Sequence, residues 1–327
     1  MSTFAMQCYL AHLAEWPRIA ELSGMDFKGR LASRIVLAFS ENEIEKLLVT
    51  RSLYSNAEGF DAQWLDTGEL RRREPRIGPD ALGGLLVTGN AAVNSQRYRH
   101  AVLAAAYRMG AVGISGDVTE VDHHRGRVSA VRMGSRRLPV DEVVFATGPW
   151  MELVDSISSS PLPVRAVPGE MLLVRAGVHG PTHDITWRQY GIYHHDRDLL
   201  WLGGTRAERP AAELPGEEGR RAIMAGISKM VPGLSQSRVL HQTVGVRPVA
   251  PDGLPMVGPV PGCQNAHLVL GGGVKGLLLS SGLGRTVAAM VMKQEQQEDQ
   301  SFLTPGRFAA QGIAALESAA GVGAAFP

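Results

Sequence analysis

Residues 268–292, LVLGGGVKGLLLSSGLGRTVAAMVM, run from an apolar strand through three glycines into an apolar helix. Such a junction gathers unpaired backbone N–H groups and the positive end of a helix dipole at one point, suited to an anionic or electron-rich group. Gly271, Gly273 and Gly276 approach the dinucleotide fingerprint. Their spacing is not that of a first βαβ unit, however, and no later strand carries the acidic residue that would hold a ribose. A purely structural strand-to-helix turn accounts for the same residues. Just upstream, VGVRPVAPDGLPMVGPV (244–260) sets Arg247 between Gly245 and Pro248, ahead of turn signals at Pro251-Asp252-Gly253 and Gly258-Pro259. A guanidinium on a short rigid loop can clamp a carboxylate through two oxygens, whereas the plainer reading is a surface arginine beside a proline. A third stretch, VVFATGPW (143–150), ends a buried strand in Ala-Thr-Gly. That lets the backbone approach a ligand closely at the carboxyl edge of a sheet.

Other chemistry-bearing residues support less. His123-His124 and His194-His195 are adjacent pairs in strand or hairpin sequence, so each pair points to opposite faces, and no cysteine or carboxylate cluster joins them as metal ligands. Ser280-Ser281 does not form a G-x-S-x-G elbow, and Arg71-Arg72-Arg73 reads as a solvated helix face. The 33 Lys and Arg against 32 Asp and Glu give a net charge of +1. No overall field therefore gathers nucleic acid or anionic membrane, and a substrate has to be recognised in a local pocket. Cys8 and Cys263 cannot make a disulfide framework or a zinc cluster. With no secretory leader and no apolar run of membrane-spanning length, the chain is expected to be cytoplasmic.

The elements that must position these residues follow from periodicity. The 327 residues, 44% hydrophobic and 20% charged, suffice for two domains. Thr3 to Leu22 predicts one helix, or two short ones, through Pro17; Arg30 to Phe39 predicts a strand. Glu41 to Tyr54 predicts an amphipathic helix with Ser40 as N-cap and Glu43 at the capping-box position. Residues 59–89 are broken by turn signals, and Ser95 to Met109 is again helical. Ala111–Ser115, Val118–His123, Arg127–Met133 and Glu142–Ala146 read as four short strands. Gly169–Arg175, Gly191–Gly203 and His267–Leu270 are further strands, Glu217–Met230 and Gly276–Lys293 further helices, and Gln311–Pro327 a loosely held tail.

The succession FATGPW, PLPVRAVPGEMLLV, GVRPVAPDGLPMVG, LGGGVKGLLLSSGLG resembles the D-amino-acid oxidase-like family of FAD-dependent oxidoreductases, the glycine oxidase, sarcosine oxidase and D-amino-acid dehydrogenase group. SGMDF followed by IVLAFSENE, WLDTGELRRREPRI, VNSQRYRHAVLAAAYRMGA and FLTPGRF agree with it, so the resemblance extends to about residue 308. It implies an α/β (α+β) fold: an incomplete Rossmann-like FAD-binding domain (1–25, 93–150 and 239–308) and an interleaved mixed or antiparallel-sheet substrate domain (26–92 and 151–238), with 309–327 a loose tail. It further implies cofactor contacts from Val118, Thr147, Gly148, Trp150, Gly271, Gly272, Gly273, Val274, Lys275 and Gly276. Arg247 matches the family arginine that grips the substrate carboxylate, and Tyr193 falls near the family tyrosine. The implied reaction oxidises the C–N bond of a small amino acid or N-methyl amino acid by hydride transfer to flavin N5, with oxygen or a quinone-linked acceptor next in line. No cysteine stands beside Arg247, so the FAD is expected to be non-covalent. The expected partners are thus a small amino-acid or amine substrate and that acceptor, without nucleic acid or an integral membrane segment, in a chain that could form homo- or hetero-oligomers. Family members open with a strand, a G-x-G-x-x-G turn, a helix and a second strand, whereas residue 1 here falls in the following helix. A second expectation therefore stands beside the first: a catalytically silent fragment or partner subunit that holds FAD weakly or not at all.

Overall fold

The computed structural model describes residues 3–177, 180–196, 198–206, 214–294 and 300–308. The loose tail expected at 309–327 lies outside the described residues. In chain order the elements are α1 (Thr3–Ser23), β1 (Arg30–Ala38), α2 (Glu41–Ser55), β2 (Asp61–Asp66), α3 (Thr67–Arg73), β3 (Gly83–Ala92) and α4 (Ser95–Arg108). Then come β4 (Glu120–His124), β5 (Arg127–Met133), β6 (Arg136–Pro139), β7 (Val143–Phe145), α5 (Glu152–Asp155), β8 (Arg165–Arg175), β9 (Asp184–Trp187), β10 (Tyr190–Asp196) and β11 (Leu199–Gly203). The chain continues through α6 (Glu217–Met230), β12 (Arg238–Val249), β13 (Met256–Pro259), β14 (Ala266–Leu270) and α7 (Gly276–Val291). This is a mixed α/β fold, as the sequence implies.

Eight strands form one mixed sheet in the order β12-β8-β11-β10-β9-β1-β3-β2. Its pairs are antiparallel except β1 with β9, where Arg34 lies opposite Asp184 and Ile35 opposite Ile185. Strands from 30–92 and from 165–203 thus share a sheet although about 70 residues of chain separate them. Two smaller sheets, β13-β14-β7 and β4-β5-β6, complete the strands.

Side-chain alternation divides the large sheet. Ile35, Leu172, Val174, Ile185, Ile192, Leu200 and Leu202 point to one face and close over Ile223, Ile227 and Met230 of α6 as a single buried cluster. Their neighbours must then point to the other face. On β1, β10 and β12 those neighbours include Arg34, Tyr193 and Arg247, because Arg34 precedes Ile35, Tyr193 follows Ile192, and Arg247 follows the register set by Leu172 opposite Gln242. At the β2 end this second face is covered by α2, where Leu47 packs on Ala62, Leu85 and Val87.

Several expectations change. Ala111–Ser115 forms no strand, β6 and β9 add strands where none was expected, and Gly191–Gly203 divides between the antiparallel strands β10 and β11. Arg247 sits within the twelve-residue strand β12 rather than on a loop, and Gly258-Pro259 closes β13 rather than a turn. Glycine and proline disguise β12, yet as an edge strand it tolerates Pro248, whose missing N–H weakens only an outer position. The boundary expected at residue 239 falls at the start of β12, a strand paired along its length with β8 of the large sheet. The helix through Pro17 is one continuous α1, which packs on α7 so closely that a Cβ at Gly282 would overlap the Cys8 sulfur.

Candidate functional site

Arg247 extends across β8 because Gly169 has no side chain: a Cβ there would overlap both guanidinium nitrogens and the carbon between them. Arg247 Nη1 donates to the Thr205 carbonyl at 3.2 Å. That carbonyl is fixed in turn, since Thr205 Oγ1 accepts from the Glu170 N–H at 3.0 Å. The Glu170 carboxylate, buried on the α6 side, accepts from Gly216 N–H and from Gln242 Nε2 at 2.6 Å. Burial lowers the Arg247 pKa, the Arg206 charge lowers it further, and Tyr193 works the other way. Arginine nevertheless remains charged at neutral pH, so the group is a fixed cation with its donors directed across the sheet.

Tyr193 obeys the same device. Its ring and hydroxyl lie where a Cβ on Gly191 would sit. Burial raises the phenol pKa, Arg34 and Arg247 lower it, and Asp184 raises it. The hydroxyl is therefore a neutral donor beside two cations. Asp184 is engaged by His194, whose backbone N–H and Nδ1 reach its Oδ1 at 3.0 and 2.8 Å. His194 Nε2 meets the Pro181 carbonyl at 2.9 Å, so this histidine has structural partners.

The glycine turn arrives from the other side. β14 ends at Leu270, Gly271 and Gly273 take positive φ of 71° and 52°, and α7 starts at Gly276. Gly272 bridges to Val249, two residues beyond Arg247, which ties the turn to the strand carrying the guanidinium. A Cβ on Gly272 would come within 2.8 Å of the Gly276 Cα, while Gly273 and Gly276 face open space. No side chain caps the start of α7, which leaves its first N–H groups for a ligand. Val274 is exposed, and Lys275 is half-buried with its ammonium pushed down by burial and by the charge of Arg34.

The third stretch joins the glycine turn because β7 runs parallel to β14, with Phe145 opposite Leu268. Their carboxyl ends coincide, and the ATG and GGG segments that follow leave the same edge of one sheet. Thr147 Oγ1 is buried there without a hydrogen-bond partner, and Gly148 takes φ 66°. Trp150 is 65% exposed, close enough to Gly148 that a Cβ there would contact its ring. Val118 lies before β4, at the surface, and no strand pairing links it to the glycine turn. The structure thus gathers Arg247 and Tyr193 on one sheet face, and Thr147 and Gly148 beside Gly271–Gly276 at one sheet edge. The sequence reading passed over Arg34, whose only signal is a charge between Ser33 and Ile35 in a strand, and Arg206.

These residues fit an isoalloxazine. An orphaned threonine hydroxyl, an uncapped helix start and two glycines opening on space offer hydrogen bonds and room to a flat, electron-rich ring, and Arg247 lies two residues from the Val249–Gly272 bridge.

Comparison with known proteins shows what the chain is similar to. A glycine oxidase of Geobacillus kaustophilus is 29% identical over 294 residues, covering 86% of this chain and 75% of its own. A glycine oxidase of Pseudomonas putida is 27% identical over 209 residues, 63% of this chain and 57% of the relative's length. The crystal structure of glycine oxidase from Geobacillus kaustophilus superposes with a TM-score of 0.87 at 23% identity, covering 94% of this chain and 85% of that one. Residues 3–290 match the family described as DAO, FAD dependent oxidoreductase, and the chain belongs to that family.

Proposed function

We propose that this oxidoreductase oxidises the C–N bond of a small amino acid or N-methyl amino acid, whose carboxylate binds Arg247. The observation that carries the reading is the placement of Arg247 over Gly169, two residues from the strand bridge to the glycine turn. That arrangement holds a carboxylate at a fixed offset from the ligand seated on Gly271–Gly276. When bound, FAD supplies the hydride acceptor, its N5.

The chain's own groups do the rest. Arg247 fixes the carboxylate, the Tyr193 hydroxyl donates beside it, and together they restrict how the Cα–H bond can point. Lys275, Arg34 and Arg247 make the surroundings positive, which disfavours an ammonium on the substrate and helps deliver the neutral amine. The uncapped N–H groups at the start of α7 would favour negative charge on a flavin held by Gly271–Gly276.

In this reading the two small sheets with α1, α4 and α7 hold the cofactor, non-covalently, and the large sheet, β12 included, presents the substrate. Val118 and Trp150 then serve the cofactor's distal part. The next electron acceptor is oxygen or a quinone-linked carrier, and the compartment is the cytoplasm. Among the described residues no helix is long and apolar enough to cross a membrane. The test is spectroscopic: supplement the purified protein with FAD, remove the excess, and titrate anaerobically with glycine, sarcosine and small D-amino acids. We expect a yellow protein bleached by at least one of them. A colourless protein that cannot be reconstituted, or a flavin that none of them reduces, overturns the reading.

A further inference from the structure

We propose that Arg34 anchors a second acidic group, so that the preferred substrate is an amino- or imino-dicarboxylate rather than a simple amino acid. This rests on the reading of Arg247 as the first carboxylate's anchor. Arg34 lies on β1, two strands from β10 in the sheet order, and its side chain leaves the same face as Tyr193 and Arg247. At a strand spacing of about 4.8 Å the β10 and β1 backbones are about 10 Å apart. Tyr193 on β10 therefore stands between β1, which carries Arg34, and β12, which carries Arg247, on their shared face.

The hydrogen bonding of Arg34 is incomplete. A guanidinium has five donors. Nη2 is held by Asn90 Oδ1 at 3.2 Å, which orients the group, yet Nε is buried and has no acceptor. A buried charged donor without a partner is costly unless a ligand supplies one. The acid nearest in register, Asp184 opposite Arg34, already accepts twice from His194. Electrostatics agree, because the charge of Arg34 is felt by both the Lys275 ammonium and the Tyr193 phenol, groups that arrive from the glycine turn and from β10. Arg34 and Arg247 place two guanidinium groups on this face, and a second acidic group facing Arg34 supplies the acceptor that its Nε lacks.

Calorimetry on the FAD-supplemented protein tests this without turnover, using butyrate as monoacid and succinate, glutarate and adipate as diacids. At least one diacid should bind about tenfold or more tightly than butyrate, the difference expected of one added charge-assisted contact. Arg34→Gln should bring that ratio to about one, Arg34→Lys should recover part of it, and Arg247→Gln should weaken both classes. Equal binding of butyrate and every diacid, or a preference that persists in Arg34→Gln, overturns this inference and leaves the carboxylate role of Arg247 standing. Binding of neither class overturns both. The wild-type comparison decides by itself where Arg34→Gln does not fold.

Discussion

At residue scale, the site depends on glycines that make room as much as on the groups that bind. On the proposed function, replacing Arg247 by Gln removes a charged, two-oxygen contact of about 1.5 to 3 kcal/mol, so KM for an amino-acid substrate should rise about tenfold to a hundredfold. Steady-state kinetics of Arg247→Gln checks this, and an unchanged KM removes Arg247 from the site. Gly169→Ala makes the subtler case. Its Cβ would occupy the space of the guanidinium, so the variant should fold with a near-normal circular dichroism spectrum yet show a KM raised as in Arg247→Gln. The cation was legible in sequence through the family resemblance, because its setting between Gly245 and Pro248 reads by itself as a surface arginine beside a proline. Its strand was not, because those same neighbours read as a loop until β8 pairs with them. Arg34 was illegible for another reason: an arginine in RLASRIVLAF passes for a solvated position, and only the sheet order sets it two strands from Tyr193 on the same face.

At element scale, the glycine turn and the α2 cap show local signals doing distant work. Gly272→Ala would push its Cβ onto the Gly276 Cα, separating the turn from α7 just where it bridges Val249. FAD should then bind at least about tenfold more weakly, the result of losing about 1.4 kcal/mol of fit. Quenching of flavin fluorescence on titration measures this, and unaltered affinity would falsify the cradle. The cap on α2 forms as its sequence predicts, with Ser40 Oγ accepting from the Glu43 N–H. Glu43, however, goes further than a capping box. Its carboxylate accepts from Phe39 N–H at 2.8 Å, from Trp187 Nε1 and from Arg188 Nε, and so pins α2 to the end of β9. No local pattern announces a partner 144 residues away. Burial alone would raise the Glu43 pKa, but the Phe39 N–H, Arg188 and Trp187 outweigh it and hold the carboxyl below the ordinary glutamate range. A depressed carboxylate stabilises the fold above its unfolded pKa, and the benefit fades as pH falls through the lower folded value. Glu43→Gln should therefore cost about 1 to 3 kcal/mol at pH 7, with the gap from wild type narrowing at pH below 4. Urea unfolding at both pH values checks the sign, and a gap that widens in acid contradicts it.

At the scale of the whole molecule, the site is a seam. The large sheet supplies the arginines and Tyr193, the small sheet β13-β14-β7 supplies the glycine turn and Thr147, and β12 leads from one to the other. Motif order in the chain made this organisation readable in outline, whereas the pairing of β1 with β9, and so the neighbourhood of Arg34, is a long-range contact that no window of sequence contains. The seam has a thermodynamic consequence. A carboxylate on Arg247 restrains β12, and Val249 on that strand is bridged to Gly272, so ordering either half lowers the cost of ordering the other. FAD and a simple carboxylate should thus bind with positive coupling, about fivefold or more, and linkage requires the same factor in both directions. Butyrate affinity measured by calorimetry with and without FAD, and FAD affinity with and without butyrate, gives the two ratios independently. Equal ratios above one establish a shared site across the seam. Ratios of one would mean that the two halves bind independently, and that the bridge between β12 and the glycine turn carries no information between substrate and cofactor.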